Sequence, residues 1–289
     1  MPKRKTKIAI VYDFDRTLST SEMQDSFIKS LGMEPKKFWK ENEEFAKKNN
    51  MDKILSYLFL MKDKTSKSDK PFNRDLLKKL GSDIEFYKGV TTWFDNISKV
   101  ATKYDVAVEH YVISSGLKEI IEGTSIAKKF KEIYACEYYY DANGNPKWVK
   151  NIINYTTKTQ FLFRINKGAL EIWDDSKVNE FVYHDERPIP FENMIYIGDG
   201  ETDVPCMKIV KQYGGYSIAV YPDSKKKEKV QKMMYDGRIT HYCKADYSEG
   251  SELFELTSEI IRKISIDAPL RNRTFKQYKE SSKRFEKDE

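Results

Sequence analysis

The chain reads as an α/β protein: a Rossmann-like, mostly parallel sheet flanked by helices, with a second, all-helical unit inserted after the first strand. Three observations predict this. Apolar runs without polar alternation recur along the chain, as strands covered on both faces require. Helical patterns separate most of them, the alternation that produces parallel pairing. Residues 19–85 hold no good strand, only helical patterns punctuated by Gly32, Pro35, Pro71 and Gly81.

In chain order, residues 8–12 form the first buried strand, and helices are expected over 22–31, 36–48, 51–61 and 74–80. The α/β pattern resumes near "YKGVTTWF", with strands over 106–113, 133–140, 194–197 and 216–221 and a sixth over 239–243. "YYYDANGNPKWV" is different: an Asn-Gly turn between two aromatic segments reads as a β-hairpin. Phe161, Leu162 and Ile165 mark a helix that begins near Thr157. The predicted organisation is a core of residues 1–18 and 86–270, a helical cap of 19–85, and a charged tail of 271–289, either a solvated helix or disordered.

Composition narrows the function classes. Of 289 residues, 33% are charged and 39% apolar, which describes a soluble globular protein with room for a sizeable core. The formal charge is +6, but residues 1–7 carry four positives (Lys3, Arg4, Lys5, Lys7) and residues 271–289 carry seven positives against four negatives. The body is therefore close to neutral, and a nucleic-acid partner, which needs a basic face on the fold itself, is not expected. The run Lys225, Lys226, Lys227, Lys229 reads as a solvated helix start or loop. Cys136, Cys206 and Cys243 are odd in number and form no CxxC pair, which speaks against disulfides or zinc and fits a reducing cytoplasm. His110, His184 and His241 show no ligand spacing. The longest apolar stretch, residues 54–61, is far too short to span a membrane, so no membrane partner is expected.

Four polar clusters end strands or open the next helix, where parallel sheets bind their ligands. "YDFDRT" places Asp13 and Asp15 on one side of an extended chain, with Thr17 following in the same alternation. Helix capping would explain one such residue, not two carboxylates and a threonine. "VISSG" offers Ser114 and Ser115, whose hydroxyls and backbone N–H groups suit a phosphate oxygen, although an ordinary serine turn looks the same. Lys158 stands in the first turn of its helix, against the dipole; taken alone it reads as an exposed, solvated side chain. "YIGDGETD" places Asp199 and Asp203 around a glycine turn.

A parallel sheet would bring Asp13, Asp15, Asp199 and Asp203 to one edge. Two unit charges about 4 Å apart repel by roughly 4 kcal/mol at an effective dielectric near 20, so either the pKa values rise or a cation sits among them. A hard divalent ion such as Mg²⁺, sharing its shell between carboxylates and a substrate phosphate, fits this donor set.

As a set these motifs resemble the haloacid dehalogenase (HAD) superfamily of phosphohydrolases. "DFDRT" matches its DxDxT motif, "VISS" its serine/threonine motif, Lys158 its lysine and "GDGETD" its acidic motif, in the expected order over roughly residues 7–245. The helical insert resembles the family's C1 cap. "DFDRTLSTSE" and "KTQFLFRINKG" suggest the phosphoserine-phosphatase-like branch. The resemblance implies a Mg²⁺-dependent phosphatase acting on a small phosphorylated metabolite. Asp13 would be the nucleophile and Asp15 the general acid and base. Asp13, Asp15 (through its carbonyl) and Asp199 would hold Mg²⁺, with Asp203 orienting that shell. Ser114, Ser115 and Lys158 would bind the phosphoryl oxygens, and Thr17 would brace the loop. Glu22 falls where that branch meets a substrate ammonium, but the branch's cap arginine has no clear counterpart; Arg74 is the one arginine between Thr17 and Phe86. An acid at Asp15 disfavours dehalogenation and ion pumping. A phosphotransferase or mutase, and a phosphate-binding protein with little turnover, are the competing readings.

Overall fold

The computed structural model describes residues 5–69 and 71–285; Lys3 and Arg4 of the basic N-terminal run, Lys70 and the last four residues of the charged tail lie outside it. A seven-stranded sheet forms the centre. Its strands are β1 (Thr6–Tyr12), β2 (Val106–Leu117), β3 (Glu132–Tyr140), β4 (Pro146–Asn151), β5 (Met194–Gly198), β6 (Tyr216–Tyr221) and β7 (His241–Lys244). Their order is β4-β3-β2-β1-β5-β6-β7, and every pairing is parallel except β3 with β4. The fold is the α/β sheet that the apolar runs predict, and the aromatic hairpin supplies its antiparallel edge.

β1 is central because it is apolar on both faces. Ile8, Ala9, Ile10, Val11 and Tyr12 are all fully buried, the composition that a strand covered on two sides requires. The helices are α1 (Asp25–Ser30), α2 (Pro35–Asn49), α3 (Lys53–Ser66), α4 (Arg74–Leu80), α5 (Val90–Lys103), α6 (Lys118–Glu122), α7 (Lys158–Lys167), α8 (Asp175–Asn179), α9 (Val204–Gln212), α10 (Lys227–Tyr235) and α11 (Glu252–Phe285). α5 and α11 pack together over β1, and α7 and α9 pack together beside β5 and β6.

The first four helices leave and rejoin the sheet at one point. Ser19 and Phe86 form an antiparallel bridge, flanked by Thr20 N–H to Glu85 O and Tyr87 N–H to Leu18 O, both 2.9 Å. α3 reaches back to the sheet: Tyr57 donates its hydroxyl to Ser115 O (2.7 Å) and Tyr138 donates to Leu58 O (2.6 Å). α4 instead packs on α6, so closely that a Cβ on Gly123 would stand 1.7 Å from Lys78 O. Arg74 is occupied there by Glu122 at 3.1 Å.

Several element ends shift by a few residues, α3 for example running to Ser66 rather than 61, and two differences have a clear structural cause. β2 runs on to Leu117 instead of stopping at residue 113, because Ser114, Ser115 and Gly116 form a bulge: four steps along β2, from Ile113 to Leu117, oppose two along β3, from Tyr134 to Cys136. A bulge bends its strand and re-aims its side chains. The charged tail is not a separate unit. It continues α11 through Pro269 as far as Phe285, and Arg271 donates to Asn193 Oδ1 at 2.5 Å.

A buried polar relay crosses the core. Trp93 donates its indole N–H to the Tyr12 hydroxyl (2.7 Å), which leaves the Tyr12 proton for His110 Nδ1 (2.9 Å) and puts the imidazole proton on Nε2. Burial, and secondarily Lys129, hold the His110 pKa down at about 3, below its ordinary 6.5. The unfolded chain therefore takes up this proton first as the pH falls. The stability contributed is full above pH 6.5 and declines towards pH 3, by about 1.4 kcal/mol per pH unit. His110→Asn keeps an acceptor for Tyr12 but cannot titrate; urea unfolding between pH 6.5 and pH 4.5 should show its stability falling less steeply than that of the wild type, by about this slope.

Candidate active site

The sheet's register assembles the site. Tyr12 pairs with Val112 on one side and Ile197 on the other. Asp13 extends the ladder by donating its N–H to Ile197 O at 2.9 Å. The residues that follow these pairs, at Asp13, Ser114 and Asp199, therefore emerge abreast at the carboxyl ends of three neighbouring strands. Past Asp13 the chain turns at once: the N–H groups of Thr17, Leu18 and Ser19 all point to Phe14 O. Arg16 takes a left-handed backbone, φ 57°, to make this turn. Thr17 is fully buried; its hydroxyl donates to Asp13 Oδ2 (3.2 Å) and its carbonyl accepts from the Tyr247 hydroxyl (2.7 Å).

Lys158 is the side chain whose environment differs most from its reading in isolation. It is 1% exposed, and its ammonium donates to Asp13 Oδ1 and Asp203 Oδ1, each at 2.7 Å. The exposed, solvated lysine is corrected: the helix dipole and solvent lose to two carboxylates, which hold the ammonium pKa above its ordinary value despite burial. Asn154 fixes where the helix starts, its Oδ1 accepting from the N–H groups of Thr156 (3.1 Å) and Thr157 (2.9 Å). Phe161, Leu162 and Ile165 anchor the helix in the core.

Asp203 has no exposed surface. Its Oδ1 also accepts the Tyr196 hydroxyl (2.8 Å), and its Oδ2 accepts the Gly200 N–H (3.4 Å). Asp13, Asp199 and Asp203 each offer an oxygen within 4.8 Å of the others. Burial raises the pKa of Asp13, Asp203 raises it further, and Lys158 opposes both. Asp199 is pushed up to about 6 by burial and by Asp203. These are carboxylates short of positive charge, with hard oxygen donors only. The set suits Mg²⁺ better than a softer metal.

Asp15 points elsewhere. It accepts the Met23 N–H at 2.8 Å, and burial, then Glu22 and Asp13, hold its carboxyl well above the usual carboxylate range. Gly116 makes room for it, since a Cβ there would lie 3.1 Å from Asp15 Oδ2 and still closer to the Met23 thioether. Ser114 Oγ accepts the Gly116 N–H (3.0 Å), whereas Ser115 Oγ is buried and has no partner among the described residues. Glu22 sits at the mouth in an ion pair with Arg16, at 3.1 Å. Asp13, Asp15, Glu22, Ser114, Ser115, Lys158 and Asp199 line one cavity of about 690 Å³ together with Trp39 of α2 and Tyr57 of α3, whereas Thr17 and Asp203 lie behind it.

Sequence reasoning assigned no role to Arg16, Tyr196 or Gly116. Arg16 stands inside the quoted "DFDRT", and Tyr196 is the one polar side chain in the strand "MIYIG"; both signals were available. Arg74, by contrast, is not brought to the cavity.

A family model described as Putative Phosphatase matches residues 8–243. The chain belongs to this phosphatase family. The matched span reaches from the start of β1 to the end of β7 and contains all four motifs. A protein of Borreliella burgdorferi, described only as uncharacterized, is 31% identical over 290 residues, covering 90% of this chain and 99% of its own. Solved structures show that the phosphatase has the HAD fold. A probable phosphoserine phosphatase from Vibrio cholerae has a TM-score of 0.56 at 14% identity, covering 92% of this chain and 67% of that one. A substrate-bound phosphoserine phosphatase complex has a TM-score of 0.52 at 18% identity, with coverage of 81% and 99%. A HAD family hydrolase from Salmonella enterica serovar Typhi has a TM-score of 0.53 at 19% identity and covers 79% of this phosphatase, which spans 66% of that chain. Among the described residues, no helix is long and apolar enough to cross a membrane.

The site makes a local prediction. A Cβ on Gly198 would stand 2.5 Å from Asp203 Oδ2 and 2.7 Å from its Cγ, whereas one on Gly200 would meet nothing nearer than Lys229 Nζ at 3.6 Å. Asp203 is held by Lys158 and Tyr196 and cannot step aside. Gly198→Ala should cost about 1–3 kcal/mol in denaturant unfolding, and Gly200→Ala should cost clearly less.

Proposed function

We propose that this phosphatase hydrolyses a small phosphate monoester in two steps, through an aspartyl-phosphate on Asp13. The observation that carries the reading is the convergence of Asp13, Lys158, Asp199 and Asp203 at the carboxyl ends of parallel strands, with a separate buried acid, Asp15, beside them.

Asp13 Oδ2, held by the Thr17 hydroxyl, attacks phosphorus as the ester oxygen leaves. Asp15 gives its proton to that oxygen. Its surroundings suit the task, because burial and then the neighbouring Glu22 and Asp13 raise its pKa and favour the protonated form. The resulting carboxylate then takes a proton from the water that attacks the aspartyl-phosphate, which returns Asp13 and releases inorganic phosphate. Ser114, the unpartnered Ser115 hydroxyl and Lys158 bind the phosphoryl oxygens. Asp13, Asp199 and the Asp15 carbonyl are the proposed Mg²⁺ ligands. Asp203, enclosed by Lys158 and Tyr196, fixes the ammonium that faces the phosphate. When bound, Mg²⁺ would offset the negative charge of the carboxylates and the phosphoryl group. Trp39 and Tyr57 supply an apolar wall of the cavity beside the reacting groups. Glu22, already paired with Arg16, meets the substrate as half of an ion pair.

Asp13→Asn should lower turnover of p-nitrophenyl phosphate by at least about a thousandfold, and chelation of Mg²⁺ should do the same reversibly. Phosphate release at the wild-type rate after either treatment would refute the mechanism. Asp15→Asn should impair an alkyl phosphate much more than p-nitrophenyl phosphate, because p-nitrophenolate leaves without a proton. Equal losses on the two substrates would remove Asp15 from the acid role.

A further inference from the structure

Beside the catalytic acids the cleft continues into a second cavity of about 220 Å³ at the end of β6, lined by Arg16, Asp199, Tyr221, Lys226, Lys229 and Val230. Three cations from two distant segments meet there. Arg16 is held by the left-handed turn of the first motif. Lys226 and Lys229 belong to the lysine run at the start of α10. In the sequence this run reads as a solvated helix start; in the structure two of its lysines face the site.

Glu22 and Asp199 feel Lys226 and Lys229 through space, but among the described residues no carboxylate closes on either lysine. Asp223 Oδ1 accepts the backbone N–H groups of Lys225 (2.9 Å) and Lys226 (3.3 Å). Glu22 is paired with Arg16. Asp199 offers an oxygen within 4.8 Å of those of Asp13 and Asp203, and it feels Lys229 only through space. Among the described residues, neither Lys226 nor Lys229 has a carboxylate within 4.0 Å. Two ammonium groups with no carboxylate at contact distance, beside Arg16 at the rim of this cavity, offer a place for an anion. Two such cations match a phosphate dianion better than a carboxylate, which needs one.

We infer that this cavity holds a second phosphate group of the substrate, so that the preferred substrate is a small bisphosphorylated ester. The inference rests on the phosphatase reading of the neighbouring site. Because the two cavities share Arg16, Asp199 and Lys229, both phosphates belong to one molecule.

The test compares propanediol bisphosphate with propanediol monophosphate, by phosphate release in the presence of Mg²⁺. Wild-type protein should prefer the bisphosphate by about tenfold or more in kcat/KM, chiefly through KM. The preference should shrink as salt is raised. In the double variant Lys226→Ala/Lys229→Ala the ratio should fall to within about twofold of unity. Calorimetric binding of both compounds to Asp13→Asn protein reads the same preference without turnover, so a failed mechanism and a failed second site give different results. A ratio near one in the wild type, or a preference that survives the double variant, overturns the inference. So does equal preference for a matched ester that carries a carboxylate in place of the second phosphate.

Discussion

One buried ammonium holds the site together. Lys158 donates to Asp13 and to Asp203, and all three side chains are almost wholly out of water. Burying a charge is expensive unless it is paired and hydrogen-bonded. Here two carboxylates share one cation, so the cluster is paired and still negative. Burial first, and then the negative charge of Asp203, raise the pKa of Asp13 and Asp199, while Tyr196 and the close approach of Gly198 lock Asp203 in place. Loosening any one of these contacts would leave charge buried without a partner.

The scaffold serves this cluster through register. β1 lies between β2 and β5, with Tyr12 level with both Val112 and Ile197. A slip of one residue would turn Asp13 to the opposite face. The apolar run of β1, buried on both sides, is therefore a positioning device as well as core. The bulge in β2 adds a second adjustment at Ser114 and Ser115, which line the cavity.

The two acids of the first motif acquire different chemistry from their surroundings alone. Asp13 faces a lysine, a threonine and two further aspartates. Asp15, two residues on, faces Met23, Gly116 and Glu22, with no cation in contact. Paired titratable groups driven apart in this way can take the nucleophile and acid roles in one reaction. The helical insert contributes through Met23, whose N–H orients Asp15, and through Tyr57, whose hydroxyl ties α3 to the Ser115 carbonyl. The insert itself leaves and rejoins the sheet at the paired crossing of Ser19 and Phe86.

The sequence by itself determined the kind of fold and the kind of chemistry. Uninterrupted apolar runs dictate strands covered on both faces. Acids, hydroxyls and a lysine that follow such runs must gather where parallel strands end. These are local patterns, and local patterns survive in one dimension. Asp13, Asp15 and Asp199 were legible for that reason. Tertiary structure alone decided who pairs with whom. It buried a lysine that looked solvated, gave Glu22 to Arg16, sent Arg74 to Glu122 away from the cavity, and turned a charged run after β6 towards the site. Each outcome depends on groups distant in sequence that arrive at contact distance, where an ion pair in low dielectric outweighs the solvation that either residue would have alone.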